Sequence, residues 1–116
     1  MVVGVGRMEL ELEGIRSLKE KRAVLSRILD RVRDRFDVSA SEVGLQDVHQ
    51  RALLAFAHVS GEGAHTNEVM DRVLAFAAGL GLGRVIHQGT ELVHLNDARP
   101  RAADVTGDWS SFEETP

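Results

Sequence analysis

The sequence predicts an α+β domain of the ferredoxin-like kind, in which a βαββαβ chain folds a four-stranded antiparallel sheet with two helices on one face. Three observations carry this expectation. Residues 2–12, 38–45, 51–60 and 84–95 are patterned as strands. Residues 18–36 and the segment after Gly63 each carry one apolar stripe at helical spacing. The two central strand segments follow each other with only a short polar loop between them, as in a hairpin. The opposite sheet face is left bare unless something covers it.

The first strand alternates. Met8, Leu10 and Leu12 are interleaved with Arg7, Glu9 and Glu11, a period of two with one polar face. Val3 and Val5 fall on the other parity. That switch, beside Gly4 and Gly6, predicts either a bulge or a strand start covered on both faces. Next comes SLKEKR, residues 17–22. Ser17 followed three residues later by Glu20 is a capping box: the hydroxyl accepts a first-turn N–H, and Glu20 reaches back to the N–H of Ser17. Leu18, Leu25, Leu29, Val32 and Phe36 then repeat at helical spacing, so a helix is expected over 18–36.

Residues 38–45, VSASEVGL, are short and polar, as at a sheet edge. Residues 51–60, RALLAFAHVS, are apolar on both parities, as in a central strand. Glu42 and Arg51 are placed to pair across this hairpin, and Gln46, Asp47 and Gln50 crowd its loop; hairpin stabilisation is the favoured reading of the cluster and a binding role the alternative. Val69, Val73, Phe76 and Leu80 form the stripe of the second helix, and Gly79, Gly81 and Gly83 end it. Residues 97–116 hold both prolines, few large apolar side chains and no periodicity. They read as a mostly disordered tail, in which Trp109 and Phe112 are the side chains that could dock.

The chain of 116 residues fits one domain, 1–96, plus that tail. A core of this size leaves stability marginal and favours pairing with a second copy, a homodimer. With no cysteine, disulfides, thiolate catalysis and thiolate-bound zinc are excluded. MVVGVGRMELELE lacks a basic leader region, and no apolar run approaches the ~20 residues that cross a bilayer. The expected address is the cytoplasm, with no membrane contact.

The glycine patterns do not cradle phosphate. Gly4-Val5-Gly6 lies inside a strand and has Glu9 where a third glycine belongs. Gly79 to Gly83 follows a helix, and Gly61-Glu62-Gly63 carries an acid. Of the five histidines, His58 and His87 with His94 fall on strands that the first strand separates, and His65 falls at a helix start. No metal site and no cofactor are expected. Ser17 is engaged as a cap, and Lys21, expected exposed, stays protonated and is a poor base. No enzyme signature is present.

The charge distribution is uneven. The net charge is −4, yet residues 16–36 hold eight basic and three acidic side chains, a local +5. The plain alternative is a solvated helix face. Arg27, Arg31 and Arg35 line one side of the first helix, Lys19, Arg22 and Arg33 the other, and Asp30 and Asp34 neutralise them only in part. These observations carry two expectations. One is an RNA-binding module whose main phosphate contacts are Arg16, Lys19, Lys21 and Arg22, supported by Arg27, Arg31 and Arg35. The strands offer one aromatic, Phe56, so base stacking on the sheet is not expected. The other is a module that dimerises through the sheet face carrying Val3, Val5, Leu53, Ala55, Ala57 and Val59.

The sequence also resembles the bacterial YlxP-like proteins, the domain of unknown function family numbered 503. The resemblance covers roughly residues 1–95. It is carried by MVVGVGRMELEL, by GIRSLKEKR at 14–22, by SEVGLQDVHQRALLAFAHVS at 41–60 and by EVMDRVLAF at 68–76. It implies a small ferredoxin-like domain with no established activity. Members are often encoded beside translation and ribosome-maturation factors, so the resemblance implies RNA or a ribosomal subunit as partner and SLKEKR as the functional segment. The acidic remainder of this chain departs from a broadly basic surface.

Overall fold

A computed structural model describes residues 1–96 of the protein. The tail expectation, Trp109 and Phe112 included, lies outside the described residues. Six elements follow in order: β1 (Val2–Glu11), α1 (Leu18–Arg35), β2 (Ser39–Gly44), β3 (Arg51–Ser60), α2 (Gly63–Gly79) and β4 (Arg84–His94). The strands form one sheet in the order β2-β3-β1-β4, with every neighbouring pair antiparallel. This is the expected ferredoxin-like arrangement, and element boundaries fall within a residue or two of those read from pattern.

One face of the sheet is covered by both helices. Val2, Met8 and Leu10 of β1, Ala52, Leu54 and Phe56 of β3 and Ala40 of β2 are buried beneath them. Leu25, Ile28, Leu29 and Val32 come down from α1, and Met70, Val73, Leu74 and Ala77 from α2. Each of the larger side chains contributes roughly 1.5–3 kcal/mol by leaving water, and each alanine methyl about 0.8 kcal/mol. The helices meet at one end through an edge-to-face contact of Phe36 and Phe76, centroids 5.6 Å apart. Phe36 is the C-cap of α1 rather than its last turn, and its N–H reaches Val32 O at 2.9 Å.

The parity switch in β1 has a different cause from a bulge at its glycines. β1 pairs with β3 in unbroken register from Val2↔Ser60 to Glu11↔Arg51. Gly4 and Gly6 stay on the covered face, in phase with Val2 and Met8. A Cβ on Gly4 would sit 2.4 Å from Thr66 Cγ2 and 3.0 Å from Met70 Cγ, so glycine is there because α2 packs onto the backbone. Val3 and Val5 therefore point to the other face, where they are half-buried by their strand neighbours. The irregularity in β1 lies against β4, between Glu9 and Leu10.

Candidate nucleic-acid interface

α1 begins where the sequence places its cap. Ser17 is extended (φ −146°, ψ 159°), and its Oγ accepts the N–H of Glu20 at 3.1 Å. The returning half of the box is displaced by one residue: Glu20 Oε2 accepts from the N–H of Arg16, at 3.2 Å, rather than from Ser17. This fixes the backbone that carries Arg16 into the first turn.

The cationic side chains of α1, together with Arg16 just ahead of its cap, then divide into three groups. Arg16, Lys19, Arg22, Arg27, Arg31 and Arg35 are exposed, and among the described residues none has a carboxylate within ion-pair distance. Arg35 lies 4.9 Å above the ring of Phe76, a cation–π contact that leaves its charge uncompensated. Arg33 is tied down: it pairs with Asp30 at 3.1 Å and donates to Ala40 O on the edge strand β2.

Lys21 forms the third group, and it corrects the sequence-based expectation. It is buried, with 1% of its surface exposed. Its Nζ donates to Leu45 O at 2.6 Å and to Val48 O at 2.7 Å, and lies 2.8 Å from Glu42 Oε2. Two of its three donors are engaged by these carbonyls, and the Glu42 carboxylate is the counter-charge at ion-pair distance, without a hydrogen bond to Oε2. No phosphate reaches it. The expected Glu42–Arg51 pair is also replaced. Glu42 has the parity of buried Ala40 and faces α1, whereas Arg51 has the opposite parity to buried Ala52 and faces the open side. There Arg51 lies 3.5 Å from Glu9. The overlooked signal is spacing: Lys21 follows Leu18 by three residues and precedes Leu25 by four, which places it within the apolar stripe.

Lys21 organises the β2–β3 loop. Leu45 is held in the left-handed region (φ 58°), and its carbonyl also accepts Val48 N–H at 3.0 Å. Gln50 closes the loop against the strand-to-helix connection, with Leu12 N–H donating to Gln50 O at 2.8 Å and Gln50 Nε2 reaching Ile15 O at 3.5 Å. The loop thus rests on both sides of Arg16.

The open sheet face is a second surface of different chemistry. Val3, Val5, Leu53, Ala55, Ala57 and Val59 share it, in the registers Val3↔Val59, Val5↔Ala57, Arg7↔Ala55 and Glu9↔Leu53. Val93, opposite Val3 on β4, extends the apolar end. Val59 is 61% exposed. Towards the other end three cross-strand ion pairs close within the face, Arg7–Glu91 and Arg84–Glu11 at 3.1 Å and Arg51–Glu9 at 3.5 Å. These six side chains are charge-balanced. Phe56 points the other way, into the core, and among the described residues the ring on this face is the exposed imidazole of His87, opposite Glu9.

Polar side chains also gather where α2 begins. His58 Nδ1 is 3.1 Å from Thr66 Oγ1, which also meets Ser60 Oγ, and the His65 ring stands edge-on to His58. His94 and His87 lie beyond β1, opposite Val2 and Glu9. Among the described residues no three His, Cys, Asp or Glu side chains converge to hold a metal ion. No helix among them is long and apolar enough to cross a membrane.

Residues 3–89 match the family described as "Protein of unknown function (DUF503)". Over 75 residues the chain is 47% identical to a Bacillus subtilis (strain 168) protein named "Uncharacterized protein YlxP", a match spanning 65% of this chain and 82% of that one. Among solved structures, the chain is similar to the de novo designed protein Foldit4, at 14% identity and a TM-score of 0.47, over 82% of this chain and 98% of that one. It is also similar to a putative antibiotic biosynthesis monooxygenase from Deinococcus radiodurans, at 17% identity and a TM-score of 0.45, over 87% and 98%.

Proposed function

The chain belongs to the DUF503 family, and we propose that it is an RNA-binding module, not an enzyme, that grips structured RNA or a ribosomal subunit through α1. One observation carries this reading: five exposed cations on α1, joined by Arg16 just ahead of its cap, have no carboxylate within ion-pair distance among the described residues. Arg16, Lys19 and Arg22 are the main phosphate contacts, with Arg27, Arg31 and Arg35 in support. Lys21 leaves the set that the sequence put forward. The charge-balanced open face, with Phe56 turned into the core and a single imidazole, His87, among its described residues, is a poor platform for stacking successive bases, which leaves backbone and shape as the main features recognised. The ribosomal setting implied by the family resemblance agrees with this class of partner.

The test is binding to an RNA stem-loop and to purified small ribosomal subunits across a salt series. Three phosphate contacts imply a loss of affinity of about 30-fold between 50 and 200 mM salt. The Arg16→Gln/Lys19→Gln/Arg22→Gln variant, still folded, should lose most of that binding. Affinity equal to wild type in this variant sinks the reading.

A second reading is favoured by the open face. Val59 and Val93 are exposed beside half-buried Val3 and Val5, and a homodimer formed through this face would cover them. It is compatible with the first reading, because it leaves α1 on the outside.

A further inference from the structure

Lys21 poses a question that RNA binding by exposed arginines does not answer. A buried ammonium is expensive to desolvate, and an apolar side chain of similar volume would fill the site at lower cost. What the lysine secures is a surface loop. Its donors hold Leu45 O and Val48 O, Leu45 accepts a left-handed backbone that a branched side chain disfavours, and the side chains of Leu45 and Val48 remain 37% and 41% exposed. The ordering is therefore directed at the loop's outer surface, not at filling the core. That outer surface carries exposed Gln46, His49 and Gln50, side chains with amide and imidazole donors and acceptors, and between them the carboxylate of Asp47, an acceptor that suits base amino groups and 2′-hydroxyls but not phosphates. It abuts Ile15 on one side of Arg16 and Lys21 on the other.

We propose that the loop at 45–50 is the second half of the RNA site, and that Lys21 is its positioning residue. The clamp holds Gln46 and His49 at a fixed offset from Arg16, Lys19 and Arg22. The cations engage phosphates, and the loop inserts polar groups where base edges and 2′-hydroxyls are displayed. The partner is a structured RNA with an A-form stem, whose shallow minor groove admits such a tip. This rests on the RNA-binding reading of α1. It adds that part of the affinity is independent of salt.

The experiment uses the full chain and a fluorescent RNA stem-loop, titrated between 50 and 200 mM KCl, with hydrogen exchange of the loop amides in parallel. Lys21→Met/Glu42→Gln removes the clamp without stranding a buried carboxylate. Its loop amides, Val48 N–H first, should exchange faster. If the loop is correctly placed in about a tenth of the variant molecules, affinity falls about tenfold. The fall should be equal at every salt concentration, because no phosphate contact is lost. A slope of log affinity against log salt that is shallower by about 0.7–0.9 would instead make Lys21 a phosphate ligand and overturn the proposal. So would unchanged affinity with a loosened loop, or unchanged exchange. Gln46→Ala/His49→Ala leaves the clamp intact and decides the matter if the first variant does not fold. It should weaken binding without altering the salt slope, and wild-type affinity here also overturns the proposal. Absence of RNA binding by the wild-type chain removes the underlying reading as well, which separates that failure from failure of the loop alone.

Discussion

Lys21 Nζ lies 2.8 Å from Glu42 Oε2, an ion pair that joins the first turns of α1 to the edge strand β2 on the covered side of the sheet. Glu42 keeps 18% of its side chain exposed and Lys21 only 1%, so the two partners respond differently to loss of the other.

Lys21→Met should destabilise the fold by about 3 kcal/mol, because it leaves Glu42 charged and two carbonyls without their donor. Lys21→Met/Glu42→Gln should recover part of that loss. Urea unfolding of the two variants and of Glu42→Gln closes the cycle, and additive effects would show that the pair is not coupled.

Two arginines on one helix should behave in opposite ways. Arg31→Gln removes an exposed side chain without an ion-pair partner, so stability should stay within about 0.5 kcal/mol while the salt slope of RNA binding drops by roughly 0.7–0.9. Arg33→Gln breaks the contacts to Asp30 and Ala40 O. It should lower the melting temperature and leave the slope alone.

Glycines should sort by what faces them. Gly4→Ala drives a methyl into Thr66 and Met70 and should be destabilising by about 1–3 kcal/mol. Gly79→Ala, at the end of α2 with open space around it, should be neutral or stabilising by up to about 1 kcal/mol. Thermal melts of the two variants provide the comparison.

Self-association, if it uses the open face, should yield to charge. Val59→Glu/Val93→Glu changes two exposed positions and should keep the melting temperature near that of wild type. Sedimentation velocity over a concentration series should give a dimer for wild type and a monomer for the variant. A wild-type monomer throughout removes the homodimer reading.

The fold was legible because its signals are local and repeat. The alternation of Met8, Leu10 and Leu12, the Ser17 cap and the stripe of Leu25, Leu29 and Val32 each belong to a single element, and each survives in the structure. The surface of α1 was legible only in part. Lys21 was counted with its charged neighbours because residue type outweighed position, although its spacing from Leu18 and Leu25 placed it in the stripe. Its partners, Glu42 and the carbonyls of Leu45 and Val48, lie more than twenty residues away in sequence. No local pattern announces a clamp between distant segments. The Gly4 and Gly6 parity switch was misassigned for the same reason, since its cause is the approach of α2. Val93 was passed over because β4 alternates too weakly to declare a face.

The contact between Gly4 and Thr66 also bears on how this chain can diverge. With a Cβ at position 4 driven into Thr66 Cγ2, a side chain can enter at Gly4 only where Thr66 has given way. A relative that acquires a side chain at the position of Gly4 is expected to carry serine, alanine or glycine at that of Thr66, and of these only serine keeps the hydroxyl that links Ser60 to His58. Covariation between the first strand and the second helix would thus extend to the histidine beneath them.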